Sequence, residues 1–483
     1  MFRKSMVVLV AAILSANVAA QDAAGVIDAA SKAMGTATLQ SIQYTGTGSM
    51  NPTGQQFSPQ GPWPRFTVTK YNALLNYTVP AMRQELVRID DMNPPKGGGA
   101  GGYNPQTFQG GIRPIPGDIV QNTNVDGRTQ AGALNLWLTP HGFLKGAAAN
   151  AATAKVSTSR GKKVLSFMAF NKYTITGTIN EQNLVERVET KMDVSFTGDT
   201  PFDGIYSDYK DFGGVKFPGH LVMRQGGFPI LDITVASVMP NSPAAMQIGT
   251  GPAPTPAAPA PIRIQAEKIG EGVWVMGPGV GSTLVEFKDY TVAIEGPGSD
   301  ERTLATLAEA KRMFPNKPVK YVINTHHHAD HSGGIRAFAA EGIPIITHES
   351  HKRYFEQEIF KAPHTLNPDH LARNPKPLVL ETVKDKRVNT DGTMTVEIHL
   401  MKDNGHAEGL LMVYIPSTKM IVQSDAFAPR PGAPPLPAPS PITINFVDNV
   451  RRLKLDVQTV VHVHGGVDTW ERVLRDTVRS TTE

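Results

Sequence analysis

With 483 residues, 40% of them hydrophobic and 19% charged, the chain is long enough for two or three packed domains and too apolar to be disordered. Its formal charge is +4 and falls to +2 without Arg3 and Lys4, so no basic field points to nucleic acid. There is no cysteine, which excludes disulfides, a lipid-bearing cysteine and thiolate metal ligands.

Arg3 and Lys4 precede an apolar run from Met6 to Leu14, and Val18 and Ala20 are the small residues before a cleavage point after Ala20. Residues 1–20 are therefore expected to be a secretory signal peptide, with an apolar core too short to span a membrane. No later stretch is long and apolar enough to cross a bilayer, and the mature protein is expected to be soluble and periplasmic or secreted.

Residues 22–35 read as a short helix. From there to about Pro240 the pattern has period two, as in Ile42-Gln43-Tyr44-Thr45-Gly46-Thr47-Gly48, Glu85-Leu86-Val87-Arg88-Ile89 and Tyr173-Thr174-Ile175-Thr176-Gly177-Thr178-Ile179. Such alternation, bounded by Asn, Asp and Gly, predicts antiparallel hairpins with one face buried. Residues 21–246 are thus expected to form a β-rich domain, with residues 93–116 as a mobile Gly/Pro/Asn-rich loop and Glu181-Gln182-Asn183 as a turn. His141 and His220 stand alone and read as structural, and Asn76-Tyr77-Thr78 reads as a chance glycosylation sequon. Two roles for this domain stay open: binding an apolar molecule on a curved sheet, or packing against the second domain.

Residues 247–262 form a Pro/Ala linker. Beyond it, in residues 263–483, strands are expected at Val273-Trp274-Val275-Met276, Thr283-Leu284-Val285-Glu286-Phe287 and Thr291-Val292-Ala293-Ile294. An amphipathic helix follows over residues 300–314, with Leu304, Leu307, Ala308 and Met313 on its apolar face. Val319, Tyr321, Val322 and Ile323 predict a buried strand, and Ser332 is placed to cap a helix running through Ile335, Ala337 and Phe338. A helix over residues 349–360 is expected next, then strands at Thr395-Val396-Glu397-Ile398, Leu410-Leu411-Met412-Val413-Tyr414 and Met420-Ile421-Val422.

The tight loop between the Val319 strand and the Ser332 helix reads His326-His327-His328-Ala329-Asp330-His331. It sits at the carboxyl end of a strand, where α/β folds place ligands. Imidazole nitrogen and carboxylate oxygen suit zinc, and also iron or manganese. His326, His328, Asp330 and His331 are more donors than one open tetrahedral ion needs from a single loop, so the spacing suggests two ions. Three later strand ends offer further donors: His406 between Gly405 and Ala407, Asp425 after Ser424, and His464 before Gly465-Gly466.

On these residues the chain resembles the metallo-β-lactamase superfamily over roughly residues 263–483. The resemblance implies an αββα sandwich, so the fold class is α/β with a mainly antiparallel β domain in front. It implies that His326, His328 and His406 hold one zinc ion, that Asp330, His331 and His464 hold a second, and that Asp425 bridges both. The family often has an acidic Asp-x-Gly turn after an early strand; here the residues are Glu295-Gly296, a departure at that supporting position. His327 should point away from the metals, His464 is favoured over His462 by its glycines, and His348 is placed to touch substrate. His351, His364, His370 and His399 read as solvated or structural.

Two ions about 3.5–4 Å apart can hold a bridging hydroxide that is nucleophilic at neutral pH, with Asp330 orienting it and relaying its proton. Secreted β-lactamases of the family either use a cysteine at the second metal or tend to lack the bridging aspartate. Asp425 therefore pulls toward lactone, ester or thioester substrates, with β-lactam hydrolysis still open, so the expected reaction is hydrolysis of an ester, lactone or amide-type bond of a small organic substrate. The apolar content of residues 349–394 and of the Pro-rich residues 429–437, both expected to overhang the site, points the same way. Two alternatives are an iron-dependent sulfur dioxygenase-like oxidoreductase and an envelope ligand-binding protein.

Overall fold

The computed structural model describes residues 23–89, 92, 96–98, 119–252, 261–427, 440–475 and 477. The expected signal peptide, most of the 93–116 loop, the middle of the linker and the Pro-rich residues 429–437 lie outside them.

A helix over residues 23–34 leads into an eleven-stranded sheet. Its order runs Ile119–Asp126, Ala81–Ile89, Phe66–Asn76, Ser41–Met50, Phe228–Pro240, His220–Gln225, Gly198–Ser207, Val185–Val194, Tyr173–Ile179, Lys162–Ala169 and Lys155–Ser159, with every pairing antiparallel. The Gly46 and Gly48 repeat marks two register shifts in Ser41–Met50. A Cβ at Gly48 would stand 1.9 Å from the Asp232 carbonyl oxygen, so the neighbouring backbone leaves room only for glycine.

The period-two reading breaks at residues 130–149, which form two helices, Gln130–Trp137 and Pro140–Ala149. Thr129 and Thr139 cap them by accepting from the Gly132 and Gly142 amides, and Pro140 opens the second. Phe143, Leu144 and Ala147 share one buried core with Phe167 and Ile175 of the sheet and with Val26, Ile27 and Met34 of the first helix. Tyr44, Tyr71, Leu75, Tyr206 and Leu221 of the sheet and Leu138 beyond the first capped helix line a largely apolar cavity of about 260 Å³. Asn51, Pro52 and Thr53 are part of its wall.

Asn76 is not available as a sequon: it is buried, and its side-chain amide donates to the carbonyls of Met246 and Ile248. That bond ties the start of the linker back to the sheet.

The C-terminal part is two sheets face to face. The first has seven strands in order, Gln265–Gly270, Val273–Gly277, Ser282–Glu286, Thr291–Ile294, Val319–Ile323, Ile345–His348 and Leu380–Val383, antiparallel at first and parallel from Thr291–Ile294 onward. The second has six, Lys386–Thr390, Thr395–Leu400, Leu411–Ile415, Met420–Gln423, Thr459–His462 and Gly466–Thr469. Val285, Ile294 and Ile323 of the first pack on Ile398, Val413 and Val422 of the second. Helices Asp300–Met313 and Ile335–Ala340 cover the outer face of one sheet, and Pro441–Arg452 covers the other, which makes an αββα sandwich behind a β domain.

Local details differ from expectation. Helix Asp300–Met313 buries Thr303, Thr306 and Ala310, while Ala308 is exposed. Small residues pack closest because the neighbouring turn at Gly333-Gly334 lies against the helix start: a Cβ at Gly334 would come within 2.2 Å of the Thr303 hydroxyl. Ser332 does not cap the following helix. Its hydroxyl donates back to the His327 and His328 carbonyls, and Gly334 stands at the helix start without a side-chain cap. The segment from Glu349 is a 3-10 turn over Glu349–His351 that ends as a π turn over Phe355–Ile359, not one regular helix.

Candidate metal centre

Strand Val319–Ile323 delivers Asn324 and Thr325 to the sandwich edge, both fully buried. The Asn324 amide donates to the His331 carbonyl 3.3 Å away, which closes the loop on itself. The Thr325 carbonyl accepts from the Leu411 amide, and its hydroxyl donates to Ser424, so the loop is stitched to the second sheet. These contacts hold His326, His328, Asp330 and His331 against three residues from later strand ends.

The side chains converge in two groups, each with its donor atoms within 4.8 Å of one another: His326, His328, His406 and Asp425, and Asp330, His331, Asp425 and His464. Asp425 belongs to both. Its Oδ2 lies 2.9 Å from His331 Nε2, 2.9 Å from His406 Nε2 and 3.2 Å from His326 Nε2, while Oδ1 lies 3.0 Å from His464 Nε2. A third group joins Glu295 to His326 and His331.

The ring protons identify which nitrogens face inward. Thr325, having given its hydroxyl hydrogen to Ser424, accepts from His326 Nδ1 at 3.0 Å, which leaves the Nε2 lone pair toward Asp425 and His406. Glu295 Oε2 lies 3.5 Å from His331 Nδ1, beyond a hydrogen bond, and its charge favours a hydrogen on that nitrogen. His328 Nε2 donates to the Gln56 carbonyl at 2.8 Å, and its Nδ1 has no hydrogen-bond partner among the described residues. As a result, imidazole nitrogens face each other: His406 and His326 Nε2 are 3.2 Å apart, His464 and His331 Nε2 2.8 Å. Hydrogen bonds alone do not satisfy so many lone pairs around one carboxylate, whereas divalent cations do. The residues fit metal ions.

Electrostatics agree. Burial, and then the neighbouring imidazoles His331 and His328, hold His326 well below its usual range; burial and then His406 bring His328 to about 3. Both are in the neutral form that binds metal. Burial opposes charge on His331 and His464, but Asp425 and Asp330, aided by Glu295 at His331, outweigh it and raise both. Burial also pushes Asp425 up, yet His331, His464 and His406 hold it well below the carboxylate range. In a dry cluster, protons on His331 and His464 are what a cation would displace.

The other histidines face elsewhere. His327 donates its Nε2 hydrogen to the Gln56 carbonyl and packs against His351 and Tyr354. His462 accepts from the Gln423 amide and faces Asp468. His348 is not a free substrate contact: its ring is engaged by Ser350 and the Lys384 carbonyl. His351 bonds Thr347 and the Glu408 carbonyl.

Glu295 fills the supporting position that the sequence left in doubt. It is fully buried, its Oε1 accepts from the Thr325 amide at 3.0 Å, and its backbone holds a φ of 75°. Two supports went unforeseen. Gln55 of the β domain donates to Asp330 Oδ1 at 2.8 Å, and Gln56 supplies the carbonyl that holds His327 and His328. No local pattern announces either one, because the contacts span more than 270 positions of sequence.

A two-sheet αββα sandwich with this donor chemistry at its strand ends defines a class of protein able to hold metal ions. Residues 278–464 match the family described as the metallo-beta-lactamase superfamily. Solved structures similar to this part include a metallo-beta-lactamase from Pontibacter korlensis, 20% identical, covering 44% of this chain and 96% of its own, with a TM-score of 0.34. Another, from Hirschia baltica, is 21% identical over 44% of this chain and 96% of its own, also at 0.34. The metallo-beta-lactamase FIM-1 from Pseudomonas aeruginosa, in its mono-zinc form, is 17% identical over 45% of this chain and 95% of its own, at 0.34. Comparison with curated proteins gives no match. The match over residues 278–464 supports metal-dependent hydrolysis in general.

Proposed function

We propose that the protein is an exported dinuclear zinc hydrolase that cleaves an ester, lactone or amide-type bond of a small organic substrate. The observation that carries the reading is Asp425, whose carboxylate reaches both clusters: Oδ2 faces His326 and His406 of one and His331 of the other, and Oδ1 faces His464. His326, His328 and His406 would hold one ion, and Asp330, His331 and His464 the other, with Asp425 common to both. Bound there, the ions would supply Lewis acidity and a water acidic enough to act as nucleophile near neutral pH.

The chain's own residues do the rest. Asp330 has Oδ1 held by Gln55, while Oδ2 lies 3.4 Å from His464 Nε2 and 3.6 Å from His331 Nε2, so Oδ2 is the atom placed to take up and pass on a proton. Burial of the whole cluster strengthens its electrostatics and keeps bulk water out. Thr325 and the Gln56 carbonyl hold the His326 and His328 rings so that their lone pairs need no reorganisation.

The test is metal content of the mature protein, purified without added metal or a histidine tag, followed by a screen of chromogenic esters, lactones and β-lactams with and without chelator. Two zinc ions per chain and chelator-sensitive hydrolysis are expected. One iron per chain would instead support the oxidoreductase alternative. Changing His326 or Asp330 to Ala should abolish hydrolysis with the fold retained, and full activity in either variant would sink the assignment.

A ligand-binding role for the β domain is favoured by the apolar cavity. Binding of a fluorescent apolar probe that survives metal removal would support it.

A further inference from the structure

The metal cluster is walled on one side by the β domain. Residues 54–57 reach it as a continuous stretch of backbone contacts: the Gly54 carbonyl accepts from the Ala329 amide at 3.2 Å, and the Phe57 carbonyl from the Glu408 amide at 2.8 Å. Gly97 and Gly98 back the stretch from behind, donating to the Gly405 and Gln55 carbonyls. Gly54 has a φ of 70°, and a Cβ there would lie 2.7 Å from the Ala329 side chain, so the approach is as close as glycine permits.

Two side-by-side residues of this stretch act on two different ligand candidates. A carboxylate only accepts, so the Gln55 side chain must present its NH2 to Asp330 Oδ1, at 2.8 Å and fully buried. This leaves Oδ2 as the oxygen toward His331 and His464. The Gln56 carbonyl, also only an acceptor, requires the hydrogen of His328 on Nε2 and so leaves Nδ1 as the ligating nitrogen. One loop thereby orients a member of each cluster.

We infer that the metal centre is a composite of both domains, with Gln55 the positioning residue for Asp330 and the Gln56 carbonyl the positioning group for His328. The inference rests on the reading of these clusters as a metal centre. It assigns the β domain a part in that centre, whatever else its cavity holds.

The test uses the full chain, stripped of metal and titrated with Co²⁺ against a chromogenic chelator, with the visible spectrum as a second readout. Gln55→Leu removes the donor at similar volume. Gly98→Ala puts a Cβ 2.0 Å from Gln55 Oε1 and 3.1 Å from His328 Cε1, so it pushes the movable amide off Asp330 and presses on the His328 ring at once. In Gln55→Leu, uptake of one of the two Co²⁺ equivalents is expected to weaken about tenfold or more, with an altered spectrum, while the other equivalent is retained; in Gly98→Ala both equivalents are expected to weaken. Wild-type affinity and spectrum in both variants, with folding verified by circular dichroism, would overturn the inference. If the wild-type chain takes up no Co²⁺, the metal-centre reading itself fails before any variant is compared, and the inference falls with it.

Discussion

Replacing Glu295 with Gln asks whether its charge, rather than its volume, orients the cluster around Asp330, His331 and His464. Glu295 follows strand Thr291–Ile294 in the left-handed region, at a φ of 75°, which costs a residue with a side chain about 1–2 kcal/mol. Two contacts offset that cost: Oε1 accepts from the Thr325 amide, and Oε2 faces His331 Nδ1. Gln satisfies only one of them. With its oxygen toward Thr325, its NH2 faces Nδ1, and the ring must move its hydrogen to Nε2, the nitrogen that faces Asp425 and His464. With the amide reversed, two donors oppose each other at Thr325. Affinity for the ion at this cluster is therefore expected to fall about 10–100-fold, or about 1.4–2.7 kcal/mol. Chelator competition on the purified variant measures it. Glu295→Gly separates strain from charge: it relieves the left-handed cost but leaves the buried Thr325 amide unpaired at about 1–3 kcal/mol. Its metal-free stability in urea should then lie between a gain of about 1 kcal/mol and a loss of about 2 kcal/mol, the difference between those two costs. Unchanged ion affinity in Glu295→Gln would refute the reasoning.

His141 gives a pH signature away from the metal centre. Burial, with Lys145 nearby, lowers it to about 4 against a weaker opposing bond to the Met34 carbonyl. The unfolded chain takes up this proton first as pH falls below about 6.5. The stabilising contribution is therefore complete above that pH and lost on the way down to pH 4, by about 3 kcal/mol in all. His141→Gln should show a smaller loss of stability than wild type between pH 7 and 4 in urea melts, and identical slopes would count against the burial argument. Asn76→Ala deletes an amide that bonds two linker-side carbonyls and accepts from the amides of Thr78 and Val79. It should cost about 2–3 kcal/mol by denaturant unfolding, since buried groups are left unpaired. A change within about 0.5 kcal/mol, the range of ordinary surface substitutions, would argue against that role.

The chemistry of the centre was legible because its parts are local. Apolar β-branched runs announce buried strands, so His326, His328, Asp330 and His331 stood out as a cluster in one strand-end loop, and His406, Asp425 and His464, each weak alone, as a set of donors beside later strands. The Pro/Ala stretch and the switch from alternating to continuous apolar runs likewise separated a β domain from an α/β sandwich. The capped helices at residues 130–149 were missed although Thr129, Thr139 and Pro140 are ordinary start signals, because the period-two pattern on both sides dominated the reading. Helix Asp300–Met313 shows the same limit: Leu307 and Met313 pack against the core as expected, but its most buried positions are Thr303, Thr306 and Ala310, and Thr303 lies against the Gly334 turn. What the tertiary structure alone decided is how the donors are oriented. The tautomers of His326 and His328 depend on the acceptors packed against their far nitrogens, Thr325 and the Gln56 carbonyl, and the direction of Asp330 depends on Gln55. A hydrogen bond across 275 positions leaves no periodicity or spacing to read, because it exists only once two separately folded surfaces meet.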